Sequence, residues 1–133
     1  MIEALIIAIA LEMGLPPYLV LAIAYTENET LNPTAVHLNL DPITGAVLSR
    51  DLGVMQLNDS WFTGDWADPE TNIRAGCEQI KWLLSMPNMN YWLVAIAYNC
   101  GYSRLLAGPP PARSIDYAER VFILFNEYRG YRH

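Results

Sequence analysis

The chain has 133 residues, 53% hydrophobic and 17% charged, with a formal net charge of −6 and a pI near 4.7. That length suits a single domain over residues 1–133, and the apolar content excludes a disordered tail or a solvated linker. An acidic balance with no basic stripe argues against nucleic acid as a partner, and any binding of an anionic polymer must come from a shaped groove.

The apolar start, Ile2 to Leu11, lacks a basic n-region, is flanked by Glu3 and Glu12, and has no small-residue cleavage site. It reads as a helix over 2–13 rather than a signal peptide, so these residues supply no export address. Gly14 and Pro16-Pro17 close it, and the prolines suit the first turn of a second helix over 17–29. Residues 33–50 are rich in Asn, Asp, Pro, Gly and Thr without a sustained period. They are expected to form a long loop with a turn at Asp41 to Gly45. The segment Asp51 to Asn58 is short and partly apolar, extended or a single helical turn.

A helix over 69–85 follows, with Asp68 as its cap and Pro69 at its first position. Pro87-Asn88 breaks it, and a helix over 91–99 ends near Gly101. Gly108 to Pro111 forms a stiff connector. Ser114 is placed to cap a last helix over 115–128, with Ile115, Ala118, Val121, Phe122 and Phe125 on one face. No stretch is long enough to span a bilayer. Cys77 and Cys100 fit no zinc pattern and read as small apolar residues, with a disulfide as the alternative. His37 and His133 are isolated, so no metal site or cofactor is expected. The pattern implies a compact, mainly α domain.

Glu27 is the anomaly. Val20, Ile23 and Ala24 precede it by seven, four and three residues and share its helix face, while Glu29 falls on the other side. A carboxyl group at the edge of an apolar face loses hydration, and the helix C-terminus adds partial negative charge. Both raise its pKa, as a general acid requires. The alternative is an ordinary helix-end glutamate, half-exposed or paired with an arginine.

The surroundings add a resemblance. Ala22-Ile23-Ala24-Tyr25-Thr26-Glu27-Asn28, Asp51-Leu52-Gly53-Val54-Met55-Gln56-Leu57-Asn58, Ala95-Ile96-Ala97-Tyr98-Asn99-Cys100-Gly101 and Asp116-Tyr117-Ala118-Glu119-Arg120-Val121 occur in this order. Together they resemble the soluble lytic transglycosylase family, whose fold is goose-type lysozyme-like. Asp68 to Gly76 also resembles the family's stretch after the Met-Gln motif. The form of the Asp51–Asn58 segment is similar to small transglycosylases attached to secretion and conjugation machines or carried by phages.

The resemblance implies a partner, peptidoglycan glycan strands, and a periplasmic or wall-facing place of action. It implies that Glu27 is acid and then base, and that Met55 and Gln56 line the sugar sites. Tyr98 and Asn99 would contact the sugar and its acetamido group, and Tyr117 would hydrogen-bond to Glu27. Asn28 stands where the family usually has Ser, and it is a candidate contact to the muramic acid substituents. The implied product is a 1,6-anhydro muramyl end. Hydrolysis is the alternative chemistry and needs a second carboxylate to position water, with Asp41, Asp51, Asp65 and Asp68 as candidates. An inactive glycan-binding or assembly module is the alternative of another class, with Asn28 the feature in its favour. A partner surface built on Trp61, Trp66, Trp82 and Trp92 is a further option, although tryptophans in a sugar groove or a core explain the same residues.

Overall fold

A central helix that is apolar on every side organises the chain. The computed structural model describes residues 1–130; His133 lies outside the described residues. Helix α1 (Ile2–Glu12) ends in a Schellman motif: Gly14, at φ +73°, donates to the Leu11 carbonyl and Leu15 donates to Ala10 at 2.8 Å. Helix α2 (Pro17–Glu27) follows, and Leu19 to Ala24 are buried in unbroken succession. A helix without a polar face has to sit in the core, and α2 packs between α1 and the C-terminal helix.

Helix α2 stops at Glu27, two residues before the expected end. Asn28 leaves the helix with φ −146° and turns its amide back on the chain that follows. Glu29 is therefore not on the far side of a helix but in the exposed segment after it.

The expected loop over 33–50 is instead largely a hairpin. Strand β1 (Val36–Leu40) pairs antiparallel with β2 (Val47–Leu52), and β3 (Leu57–Asn58) adds to the far side of β2. The alternation in Val36-His37-Leu38-Asn39-Leu40 carries the strand signal. The turn at Asp41–Gly45 forms as expected, with the Asp41 carboxylate accepting from the Ile43 and Thr44 amides.

Asp51 to Asn58 completes the sheet around a tight turn. Gly53 at φ +77° and Gln56 at φ +54° reverse the chain between β2 and β3. A fully buried asparagine, Asn72, supports the turn from α3 (Pro69–Ser85). Its Oδ1 accepts from the Met55 amide at 2.8 Å, and its Nδ2 donates to the Leu52 and Trp66 carbonyls at 2.9 and 3.0 Å. A Cβ on Gly53 would lie 2.3 Å from that Nδ2, so only glycine fits.

Helix α3 begins as its sequence dictates, with the Asp68 carboxylate accepting from the Thr71 amide. Helix α4 (Tyr91–Cys100) ends at Gly101, φ +88°, which leads into a short helix α5 (Tyr102–Leu106) that carries no sequence signal of its own. Helix α6 (Ala112–Tyr128) starts three residues earlier than expected. Pro111, extended at φ −59° and ψ 147°, precedes its first turn, so Ser114 lies inside the helix and caps nothing. Helix α6 packs on both α2 and α4, and its Ala118, Val121 and Phe125 join the core. Cys77 is buried and Cys100 half-buried, both as free thiols. Among the described residues no helix is long and apolar enough to cross a membrane.

Candidate active site

The C-terminal end of α2, the sheet, and helices α4 and α6 enclose a groove of about 900 Å³. Strand alternation places His37, Asn39, Ser49 and Asp51 on one face of the sheet, paired across β1 and β2 as His37 with Asp51 and Asn39 with Ser49. Of these His37, Asn39 and Asp51 line the groove, together with Asn58 from β3. Leu38, Leu40 and Val47 lie about half-exposed on the hairpin.

Glu27 lines the groove from the last turn of α2. Its pKa is raised to about 8, chiefly because burial penalises the carboxylate. The negative charge of Asp51 pushes the same way, whereas the Tyr117 hydrogen bond and the Arg120 charge oppose the shift. Tyr117 Oη donates to Glu27 Oε2 at 2.8 Å. No other hydrogen bond reaches this carboxyl group among the described residues, so Oε1 is left for a ligand. At neutral pH the group holds its proton in contact with a polar groove. That is the state from which a carboxylic acid donates to a leaving oxygen.

Asp51 is held differently. Its two oxygens accept from Asn39 Nδ2 at 3.1 Å and Asn58 Nδ2 at 2.9 Å, while Ser49 Oγ accepts from the same two amides. Of the three carboxyl groups that line the groove, Glu27 is thus stripped of water, Asp51 is fixed by amide donors, and Glu29 is exposed.

The other residues singled out from sequence divide into two groups. Tyr98, Asn99, Gln56 and Tyr117 line the groove with Glu27. The Tyr98 hydroxyl donates to the Met55 carbonyl at 2.8 Å, and Gln56 Nε2 donates to the Gly53 carbonyl at 2.9 Å. Burial pushes the hydroxyl pKa of Tyr98 and Tyr117 well above the ordinary tyrosine range. Asn99 is exposed and accepts on Oδ1 from the buried Ser114 hydroxyl at 2.7 Å.

Met55 and Asn28 belong to the second group. The Met55 side chain is fully buried against Gly76, where an added Cβ would lie 2.8 Å from Met55 Cγ, and it does not line the groove. What Met55 offers the site is its backbone carbonyl, the acceptor for Tyr98. Asn28 borders the groove, but its amide is spent on the chain: Nδ2 donates to the Asn32 and Gly53 carbonyls, and Oδ1 accepts from the Asn32 amide. It fastens the segment after α2 to the Gly53 turn.

Several groove residues were not singled out from sequence: Asn39, Asn58, Arg113 and Arg120. The two arginines had a signal in their spacing. Arg113 and Arg120 lie one helical turn on either side of Tyr117, so all three share a face of α6. Trp61 also lines the groove and is 48% exposed, its ring packed edge-on against Phe62. No cluster of three or more His, Cys, Asp or Glu side chains able to hold a metal occurs among the described residues.

Comparison with known proteins meets this geometry. The family model described as the transglycosylase SLT domain matches residues 4–108. The chain belongs to that family. The SLT match takes in the Glu27, Met55-Gln56 and Tyr98-Asn99 segments and stops short of α6, which supplies Tyr117. No curated protein matches significantly in sequence. Among solved structures, the chain is similar to the lytic transglycosylase Slt from Pseudomonas aeruginosa, determined as an inactive mutant. The TM-score is 0.70 at 18% identity, over 98% of this chain and 24% of that one. At that identity the likeness speaks for the fold, and this SLT chain spans about a quarter of the Pseudomonas chain's length.

Proposed function

We propose that the chain, acting as one lysozyme-like domain, is a peptidoglycan lytic transglycosylase. It cleaves the β-1,4 bond between MurNAc and GlcNAc and leaves 1,6-anhydro-MurNAc ends. The observation that carries this reading is the Glu27 carboxyl group, raised to a pKa of about 8 and anchored through Oε2 by Tyr117 in an open polar groove.

In this reaction the protonated Glu27 gives its proton to the glycosidic oxygen as the bond to the anomeric carbon breaks. The acetamido carbonyl of the same muramyl residue stabilises the developing cation. The ionised Glu27 then takes the proton of the C6 hydroxyl, whose oxygen bonds to the anomeric carbon. Protons balance, no water is consumed, and Glu27 ends protonated. Asn99 lines the groove with its oxygen taken by Ser114, and its N–H groups serve as donors for the acetamido carbonyl. Tyr98 and Gln56 shape the wall beside it, and action is on the periplasmic or wall-facing side. Service to a secretion, conjugation or phage apparatus rests on sequence likeness alone.

One observation favours a second reading, hydrolysis. Asp51 is a fixed carboxylate in the same groove, near enough for its charge to raise the Glu27 pKa. A carboxylate pair with one acid and one base is the arrangement of water-using glycosidases.

Digestion of purified peptidoglycan by the wild-type chain and by Glu27→Gln, with products weighed by mass spectrometry, separates these readings. Anhydro-muramyl ends, one water lighter than reducing ends and absent with the variant, are expected. Reducing ends would assign a hydrolase, with Asp51 as the water-positioning group. Intact sacculi after treatment with the wild-type chain would overturn the enzyme reading.

A further inference from the structure

The β1–β2 hairpin leaves an apolar face uncovered. Strand alternation gathers Val36, Leu38, Leu40 and Val47 on the face opposite to His37, Asn39 and Asp51. Ile43 in the turn and Leu48 at the bulge extend the apolar surface. The first four are 45–54% exposed, Leu48 66% and Ile43 92%. In an antiparallel sheet this alternation marks one solvated and one packed face. Here the polar face belongs to the groove, yet no helix among the described residues packs on β1 or β2 beyond marginal contact. Strand β3 pairs only with Asp51 and Leu52, so the rest of the hairpin is a two-stranded ribbon, marginal with its apolar face in water.

We propose that this face is the interface of a homodimer. Two copies pack their hairpins face to face about a two-fold axis, with Leu38 meeting its symmetry mate.

Three features support it. The first is area. At ordinary side-chain sizes those six residues leave roughly 600 Å² of apolar surface open per copy, the upper end for a patch on a monomer. Two such faces remove about 1,200 Å² from water, which reaches the size of a specific, stable interface. The second is charge. Arg50, opposite Leu38, is the one charged side chain that alternation puts on this face of β1 and β2, and Asp59 neutralises it at 3.0 Å. A face without free charge, on a chain of net charge −6, selects an uncharged apolar surface as its partner. A second copy presents one of equal size by symmetry, and an isologous pair needs no other surface. The third is access. The groove lies on the other face of the sheet, with only Val36 bordering both, so pairing leaves both grooves open on opposite sides. One dimer would then hold two glycan strands, a consequence that rests on the peptidoglycan reading, whereas the interface does not.

Sedimentation equilibrium of the full chain over a micromolar concentration series tests the interface without substrate, so its failure leaves the enzyme reading untouched. The wild type should approach twice its mass of 15.0 kDa. Leu38→Glu should raise the dimer dissociation constant by about 100-fold or more, because two like charges would be buried against each other. Leu38→Lys should do the same, and a mixture of the two variants should dimerise again, which also shows that both are folded. Ile123→Asp, a change at an exposed apolar side chain on α6, should leave the dimer intact. A wild type of single-chain mass throughout, a dimer that survives Leu38→Glu, a mixture that stays monomeric, or a dimer lost with Ile123→Asp would each overturn the proposal.

Discussion

Tyr117 Oη and Glu27 Oε2 stand 2.8 Å apart although ninety residues separate them in the chain. The hydrogen bond joins α6 to the last turn of α2, so packing of the C-terminal helix fixes the orientation of the acid. It also opposes the burial that raises the Glu27 pKa. Tyr117→Phe should therefore push that pKa higher still and move the alkaline limb of the pH–activity curve upward. With the carboxyl group free to rotate, kcat should fall by roughly 10- to 100-fold, in the range of a lost catalytic positioning contact. A pH–rate profile on peptidoglycan checks both; an alkaline limb that stays in place would show that the bond does not tune the acid.

Glu27 also sets a pH dependence of stability. Its pKa is about 8 in the folded chain against 4.5 for the ordinary group. Between these values the folded state binds the proton and the unfolded state has lost it, so the native state holds more protons and stability falls as pH rises. The contribution is complete below about 4.5 and gone above about 8. Glu27→Gln removes it, so the stability of the variant relative to the wild type should rise by roughly 4 kcal/mol between pH 4.5 and pH 8. Urea unfolding at the two pH values measures the difference. Identical pH dependence of the two proteins would mean that Glu27 is not the buried acid.

Asn72 is the support of the Gly53–Gln56 turn. Asn72→Ala leaves the Met55 amide and the Leu52 and Trp66 carbonyls without their side-chain partner. Loss of about 3 kcal/mol of stability is expected, the scale of several orphaned polar groups in a buried place. Denaturant unfolding reads it, and Asn72→Asp should recover little, because a carboxylate cannot donate to the two carbonyls.

Gly76 tests the structural part played by Met55. A methyl group there would press on Met55 Cβ and Cγ at 2.9 and 2.8 Å. Gly76→Ala should cost about 1–3 kcal/mol by overpacking. Gly76→Ala combined with Met55→Ala should lose less than the two single changes added together, since removal of Met55 Cγ and Cε relieves two of the three close contacts. A double-mutant cycle by thermal or urea unfolding shows the coupling, and strict additivity would place Met55 elsewhere.

Much of this fold is legible in the chain because local chemistry agrees with tertiary demand. Asp68, Pro69 and the apolar period place α3 at 69–85, where it is found. The hairpin is harder to read, because Asn39, Asp41, Pro42, Thr44 and Gly45 look like loop while a two-residue alternation runs beneath them. Ser114 looks like a cap, yet Pro111 starts α6 first and frees the hydroxyl for Asn99. In the site, a carboxylate closing an apolar helix makes Glu27 conspicuous. Met55 misleads because motif proximity does not tell a side chain's direction from its backbone's. The net charge of −6 hides Arg113 and Arg120, since a sum over the whole chain is blind to where α6 gathers two of its eight cations.

The hairpin holds a polar face and an apolar face on the same few residues. The pairing of Asn39 with Ser49 and of Leu40 with Val47 skips one residue, Leu48, beside the Asp41–Gly45 turn. Were one strand to slide by a single position, its side chains would exchange sides. Leu38 and Leu40 would then face the groove, while His37 and Asn39 would point away from it and Asp51 would lose an amide donor. The bulge and the tight turn thus act as a phase lock, and residues at the far end of the hairpin decide whether one bank of the groove is wettable.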